Sequence, residues 1–216
     1  MSVRFDHFEY IYYKICKTTN LYMLISKTPY RIPLAGGGSD LPFYYKKKGG
    51  EFISCCIDQY VYVFLVNRKI HKNNLIQTTD VEFTKKINQI KNKIIKGALN
   101  YFNIKNYIHV GTFSTLPTKT GLGSSSSILV GLINLLYKSK GIKTNSKLLY
   151  KESYTIEREI LKLSGGHQDQ IMAAYGSIQK VKIHKQRKLN ITEIKISTQV
   201  KKKIENKLLL VFTSET

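Results

Sequence analysis

The chain of 216 residues is poor in acidic residues, cysteine and proline: 14 Asp and Glu stand against 35 Lys and Arg, beside three Cys and four Pro. An odd cysteine count argues against a disulfide framework and for a reducing compartment, and Cys55 and Cys56, adjacent in an apolar run, read as buried thiols. No apolar run approaches the length needed to span a membrane. Residues 1–22 carry Asp6 and Glu9 among aromatics and lack a continuous apolar centre and a small-residue cleavage site, and so do not read as a convincing signal peptide. The cytoplasm is the expected compartment. His and Cys nowhere fall at metal-ligand spacing, and no arginine cluster or nucleic-acid motif accompanies the lysines. The net charge of +21 is spread over lysines scattered among Asn and Ile, a chain-wide bias rather than one charged face. Such a charge predicts weak attraction to polyanions and steering of phosphorylated substrates.

The length fits one domain, or one and a part of another. Residues 1–22 read as an extension, or as the product of a start codon upstream of Met23. From Met23 the pattern becomes regular. Strands are expected over 24–28 and 52–66, with a polar loop over 67–80, a helix over 85–102 and a strand over 107–113. A buried helix follows, from the serines near 124 to Gly141. Thr144, Asn145 and Ser146 supply caps for a helix over 147–163, which Ser164, Gly165 and Gly166 stop. A short helix over 168–175, a hairpin over 177–183 and 189–196, and a buried strand over 207–213 complete the chain. Hairpins mixed with helices indicate an α+β fold.

Three glycine-bearing stretches could carry chemistry. In the first, Arg31 on a strand precedes Gly36, Gly37, Gly38, Ser39 and Asp40, a turn that positions a carboxylate; by itself this is an ordinary turn composition. In the second, Leu116 and Pro117 lead through Gly121, Leu122 and Gly123 to Ser124, Ser125, Ser126 and Ser127, which open the buried helix. Glycines let backbone N–H groups approach a ligand, a helix N-terminus leaves such groups unpaired under partial positive charge, and hydroxyls add donors or a metal ligand. Phosphate is the natural occupant, although the same run also suits a plain capped helix, and its spacing is not that of a Walker loop. In the third, Gly165, Gly166, His167, Gln168, Asp169 and Gln170 open another helix with a carboxylate, where an Asp commonly serves as a cap. Periodicity alone does not choose among Glu152, Glu157 and Glu159 on the preceding helix.

Together the stretches Pro29-x-Arg31-x-Pro33 through Asp40, Pro117 through Ser126, and Ile156-Glu157-Arg158-Glu159 followed by Gly166 through Gln170 resemble the GHMP small-molecule kinases. That superfamily includes galactokinase, homoserine kinase, mevalonate kinase and phosphomevalonate kinase. The Leu-Ala-Gly-Gly-Gly-Ser-Asp form and the Gly-x-Gln-Asp-Gln ending are most similar to bacterial D-glycero-D-manno-heptose 7-phosphate kinases, which phosphorylate the anomeric hydroxyl. The resemblance implies a two-layer sandwich shared with a domain of ribosomal proteins, with an N-terminal ATP-binding domain over 23–200 and the beginning of a ferredoxin-like C-terminal domain over 201–216. It implies ATP and Mg²⁺ as cofactors and a sugar phosphate as acceptor. Pro117, Gly121, Leu122, Gly123, Ser124, Ser125 and Ser126 would wrap the nucleotide phosphates. Ser125 and Glu157 would hold Mg²⁺, Asp169 would take the proton of the attacking hydroxyl, and Arg31 would keep that carboxylate ionised. Gly38, Ser39, Asp40 and His167 would meet the acceptor, His167 through its phosphate. Gly37 and Gly38 replace the Glu-His of galactokinase, which argues against galactose. Relatives continue past the strand expected over 207–213, so the resemblance further implies a kinase N-terminal part, of little activity without a complementing C-terminal fragment. The competing readings are a basic nucleic-acid-binding domain of related shape, which would have no use for Glu157 and Asp169 at this spacing, and an inactive gene remnant.

Overall fold

The computed structural model describes residues 9–14, 22–68, 70–117 and 120–211. Eight strands form one sheet: β1 (Glu9–Lys14), β2 (Tyr22–Ala35), β3 (Gly50–Asn67), β4 (Asn74–Gln77), β5 (Val81–Thr84), β6 (Ile108–Ser114), β7 (Ile178–Ile183) and β8 (Leu189–Glu193). The order is β1-β2-β3-β6-β4-β5, with β7 also on β3 and β8 on β7; every pair is antiparallel except β4 with β6.

β3 organises the sheet. Its 18 residues alternate enough Phe, Ile, Val and Leu inward to fill the core, and β2 accompanies it from Met23↔Val66 to Ala35↔Ile53. On its other edge β3 changes partner. Residues 50–55 pair with β7, residues 61–67 pair with β6, and the register against β2 slips between Pro29↔Tyr60 and Tyr30↔Ile57. Pro29 has no N–H to give to a ladder and sits at this slip. β1 reaches only from Tyr22 to Lys27, so the part of β2 that carries Pro29 and Pro33 is an edge, as two prolines in one strand require.

The helices are α1 (Pro42–Lys48), α2 (Lys93–Tyr101), α3 (Ser124–Ser139), α4 (Ser146–Tyr154), α5 (Gln168–Tyr175) and α6 (Thr198–Glu205), with a π-helical turn over Thr155–Ile160. α3 lies on β2 and β3, and α2, α4 and α5 pack around it. Leu129, Val130, Leu132 and Ile133 are fully buried there, which is why this helix shows apolar residues around most of its circumference. Gly131 lets the helix come close: a Cβ would stand 2.7 Å from Ser26 Oγ and 2.9 Å from Thr28 Oγ1. No helix among the described residues is long and apolar enough to cross a membrane.

Several expectations are corrected. The loop expected over 67–80 contains β4, and β5 follows it; α1 was not expected. The helix over 85–102 is shorter, because Asn92 accepts a hydrogen bond from Ile95 N–H (3.1 Å) and so starts α2, with a separate 3-10 turn at Ile87–Gln89. The helix over 147–163 does start at the expected cap, Asn145, but widens into the π turn after Tyr154. Residues 207–211 of the strand expected over 207–213 form no strand, and residues 212 and 213 lie outside the described residues. Leu209 is 86% exposed, since no neighbouring strand edge receives it. Residue 200 lies within α6, and residues 9–14 pair with β2.

Candidate active site

Two loops meet at the point where β3 changes partner. The strand β6 delivers the chain to Gly121 and Gly123, whose φ values of 70° and 84° lie in the left-handed region that L side chains rarely adopt. Gly123 is the residue from which α3 starts, no side chain caps the turn, and the first bond of the helix runs from Ser127 N–H to Gly123 O (3.0 Å). The N–H groups of Ser124, Ser125 and Ser126 therefore face along the axis into the cleft without helical partners. Ser127 Oγ donates to Pro29 O (3.0 Å), and Leu122 is buried, so the turn is anchored to β2 at both sides. Pro117 is exposed at the far end of the loop.

Arg31 joins this turn to the third stretch. Its backbone N–H donates to Leu122 O (3.3 Å) and its Nη1 donates to Gly121 O (2.9 Å). The other edge of the guanidinium holds the Asp169 carboxylate through Nε (2.8 Å) and Nη2. A Cβ at Gly123 would stand 3.5 Å from Asp169 Cγ, so this carboxylate is adjacent to the mouth of α3. Asp169 is thus bonded to Arg31 and sits in the first turn of α5.

Glu157 closes the opposite wall. It is 3% exposed; its Oε2 accepts from Ser126 Oγ (2.8 Å) and Gln170 Nε2 (2.5 Å), while Oε1 stands 3.7 Å from Arg158 Nη1. The π turn is what brings Glu157 inward, past the margin that ideal helical spacing gives it, and Leu161 N–H to Ile156 O (2.9 Å) closes the widened ring. Arg158 donates to the carbonyls of Ser164 (2.9 Å) and Gly166 (3.2 Å) and so fixes the loop that leads to Asp169. The resulting cleft has a volume of about 470 Å³ and is lined by Gly121, Gly123, Ser124, Ser125, Glu157 and Asp169, among others.

No group of three or more His, Cys, Asp or Glu among the described residues could hold a metal. The donor set nevertheless fits Mg²⁺. Glu157 and the exposed Ser125 hydroxyl are hard oxygen donors that both line the cleft, and Mg²⁺ typically takes only one or two protein oxygens and fills its shell with water and phosphate.

The acceptor-side expectations fare differently. Gly38 lies exposed with φ 84° in the turn at the end of β2. The Ser39 hydroxyl is engaged by the protein instead: it lies 2.7 Å from Gly36 O and 2.8 Å from Glu51 O and accepts from Glu51 N–H (3.1 Å). Asp40 is buried, and its Oδ2 accepts from Gln168 N–H (2.9 Å), capping α5 from a distance. Gly166 leaves room for that carboxylate, since a Cβ there would come 2.0 Å from Oδ2. His167 is corrected most clearly. It is completely buried, shares a 2.8 Å hydrogen bond with Tyr150 through Nδ1, and stacks on Tyr154 at 4.2 Å and 8°. Burial pulls its pKa down to about 3, with Arg187 and Arg158 adding to the effect, so it is neutral and cannot serve as a cation for substrate phosphate. Sequence reasoning missed the supporting roles of Gln170, Ser126 and Arg158. Gln170, the third residue of α5 and just beyond Asp169, was within the motif, but only the fold brings its amide to Glu157.

Similarity to known proteins agrees with this geometry. Residues 89–177 match the family of GHMP kinases N terminal domain. The chain is 28% identical over 205 residues to the D-glycero-alpha-D-manno-heptose 7-phosphate kinase of Campylobacter jejuni, covering 88% of this chain and 60% of that protein's length. A crystal structure of a D-glycero-D-manno-heptose 1-phosphate kinase from Bacteroides thetaiotaomicron superposes with a TM-score of 0.74 at 24% identity, over 82% of this chain and 61% of the other. A putative sugar kinase from Campylobacter jejuni gives 0.69 at 24%, over 85% and 59%. Motif order, sheet topology and sequence similarity point the same way: residues 89–177 are similar to the GHMP kinases N terminal domain, and the fold is that of the sugar kinases compared.

Proposed function

We propose that this chain carries the nucleotide cradle and the proton-accepting carboxylate of an ATP-dependent sugar kinase, with D-glycero-D-manno-heptose 7-phosphate as acceptor and its anomeric hydroxyl as the group phosphorylated. The observation that supports this best is the juxtaposition of Asp169, clasped by Arg31, with Gly123 at the start of α3. A carboxylate and a set of phosphate-binding N–H groups then share one wall.

In this reading the N–H groups of residues 123–126 receive the β- and γ-phosphates. Glu157 and Ser125 would hold Mg²⁺, which neutralises phosphate charge when bound. Asp169 orients the acceptor hydroxyl and takes its proton as the new O–P bond forms and the bond from phosphorus to the bridging oxygen of ADP breaks. Arg31 fixes the direction of Asp169 by donating to its Oδ1 from both Nε and Nη2. The acceptor lies along the turn at Gly38, and Asp40 serves it indirectly by holding the first turn of α5. Positioning and charge neutralisation suffice for phosphoryl transfer, which demands little covalent chemistry from the protein.

The test has two parts. Calorimetry with the non-hydrolysable analogue AMPPNP is expected to show Mg²⁺-dependent binding that Glu157→Gln weakens. Phosphorus NMR of heptose 7-phosphate with ATP follows turnover by the chain alone and with a polypeptide supplying the remainder of the relatives' length. No nucleotide binding in the first experiment, or binding without any turnover in both arms of the second, would sink the reading.

A further inference from the structure

A second hollow, of about 620 Å³, lies between α4, the end of α5 and the β7–β8 turn. Its walls have three parts. Lys147 and Lys151 stand four residues apart on one face of α4, Arg187 reaches over from the turn, and Tyr150, Tyr175 and Leu189 form the apolar surface between them. No carboxylate lines it. Lys147 and Lys151 are exposed and make no ion pair among the described residues.

Arg187 is held at the rim by several contacts. Its Nη2 meets Glu159 Oε1 at 2.7 Å, and its guanidinium carbon lies 4.3 Å from the centre of the Tyr154 ring. His167 stacks on the same ring at 4.2 Å, so one tyrosine contacts both the rim arginine and a fully buried histidine. The backbone of Arg187 has φ 65°, a left-handed conformation uncommon for a residue with a side chain, and its N–H donates to His184 O (2.8 Å) in the turn. A glycine or asparagine would suit that turn position with less strain. An arginine there, fixed by a carboxylate and an aromatic face, has its direction determined before any ligand arrives.

We propose that this hollow is a ligand site separate from the cleft at the start of α3, and that it takes a small phosphomonoester carrying a sugar ring. Two lysines without an ion pair among the described residues, beside an arginine shared with Glu159, favour an anion, and a hollow of this size with tyrosine and leucine walls exceeds what a bare phosphate fills. A sugar phosphate and a nucleoside monophosphate share this chemistry. Occupancy of the site does not depend on phosphoryl transfer at the cleft.

The test is a titration of the isotopically labelled chain with ribose 5-phosphate, AMP, inorganic phosphate and ribose, followed through backbone amide signals. The expected result is saturable shifts over residues 147–155 and 186–191 with both esters and none with ribose. The tighter of the two esters names the source, and either supports the site. The double variant Lys147→Glu, Lys151→Glu changes only exposed side chains and is expected to weaken binding at least about tenfold, as is Arg187→Gln, with AMPPNP affinity at the cleft unchanged. Shifts confined to residues 121–126 and 157–169, insensitivity to the lysine reversals, or inorganic phosphate binding as tightly as the esters would each overturn the proposal.

Discussion

The Arg31–Asp169 pair joins a strand to a helix across 138 residues of chain, and through Gly121 O it also holds the phosphate loop. Replacing Asp169 by Asn keeps the shape but removes the carboxylate. On the proposed function, phosphoryl transfer by the chain supplemented with the remainder of its relatives' length is expected to fall about 100- to 10,000-fold, with AMPPNP affinity little altered, as measured by phosphorus NMR and calorimetry. Replacing Arg31 by Lys removes the two-point contact and the tie to Gly121, so this variant is expected to lose nucleotide affinity as well. At His167 the expected effect is on stability. Its folded-state pKa of about 3 lies below the ordinary value of 6.5, so the unfolded chain binds a proton that the folded chain refuses. The stabilisation is complete above pH 6.5 and declines as pH falls toward 3, by up to about 1.4 kcal/mol per pH unit. Urea melts at pH 7 and 5 measure it, and a His167→Phe variant that folds should lack this component of the pH dependence. Single residues of this kind were only partly legible in the sequence. Asp169 and Glu157 stood in recognisable motifs, whereas a histidine in a similar motif gave no sign of being enclosed by tyrosines from another helix.

Among the elements, those whose own pattern carries the information were legible. α3 has a long apolar run and α5 begins at a glycine pair, and both appear where periodicity puts them. α4 starts at the expected cap, where Asn145 accepts from Leu148 N–H (2.8 Å). Elements that exist through distant pairing were not legible. β4 has four residues and depends on a parallel partner more than thirty residues away, as in Ile76↔Val110. α1 buries only Tyr45 and has three lysines in its last turn, so it offers no amphipathic stripe. The π turn inserts an irregularity that 100° per residue cannot describe. The close approach of α3 to β2 was invisible for the same reason, since Gly131 within a helix reads as a mere tolerance. Gly131→Ala adds helix propensity worth up to about 1 kcal/mol, yet its Cβ would press on Ser26, Thr28 and Val63. Overpacking typically costs about 1–3 kcal/mol, so a net destabilisation of about 1 kcal/mol is expected in urea titration. An unchanged or raised midpoint would show that the strand side chains give way.

At the scale of the whole molecule, the charge of +21 acts on every phosphorylated ligand before it reaches either hollow. The association rate of AMPPNP is expected to fall on the order of several-fold between 20 and 300 mM salt, as the Debye length shrinks from about 20 Å to below 6 Å. Stopped-flow measurement checks this, and the dissociation rate should change less. The larger consequence comes from β3. The nucleotide loop follows β6 and the carboxylate-bearing helix precedes β7, so the two halves of the cleft are attached to different stretches of one strand, on either side of its irregular middle. Across that irregular middle the two ladders are coupled through one side chain: Arg31, on the facing strand beside Cys56, bonds Gly121 O on one side and Asp169 on the other, so the spacing of the two halves is set by a single guanidinium.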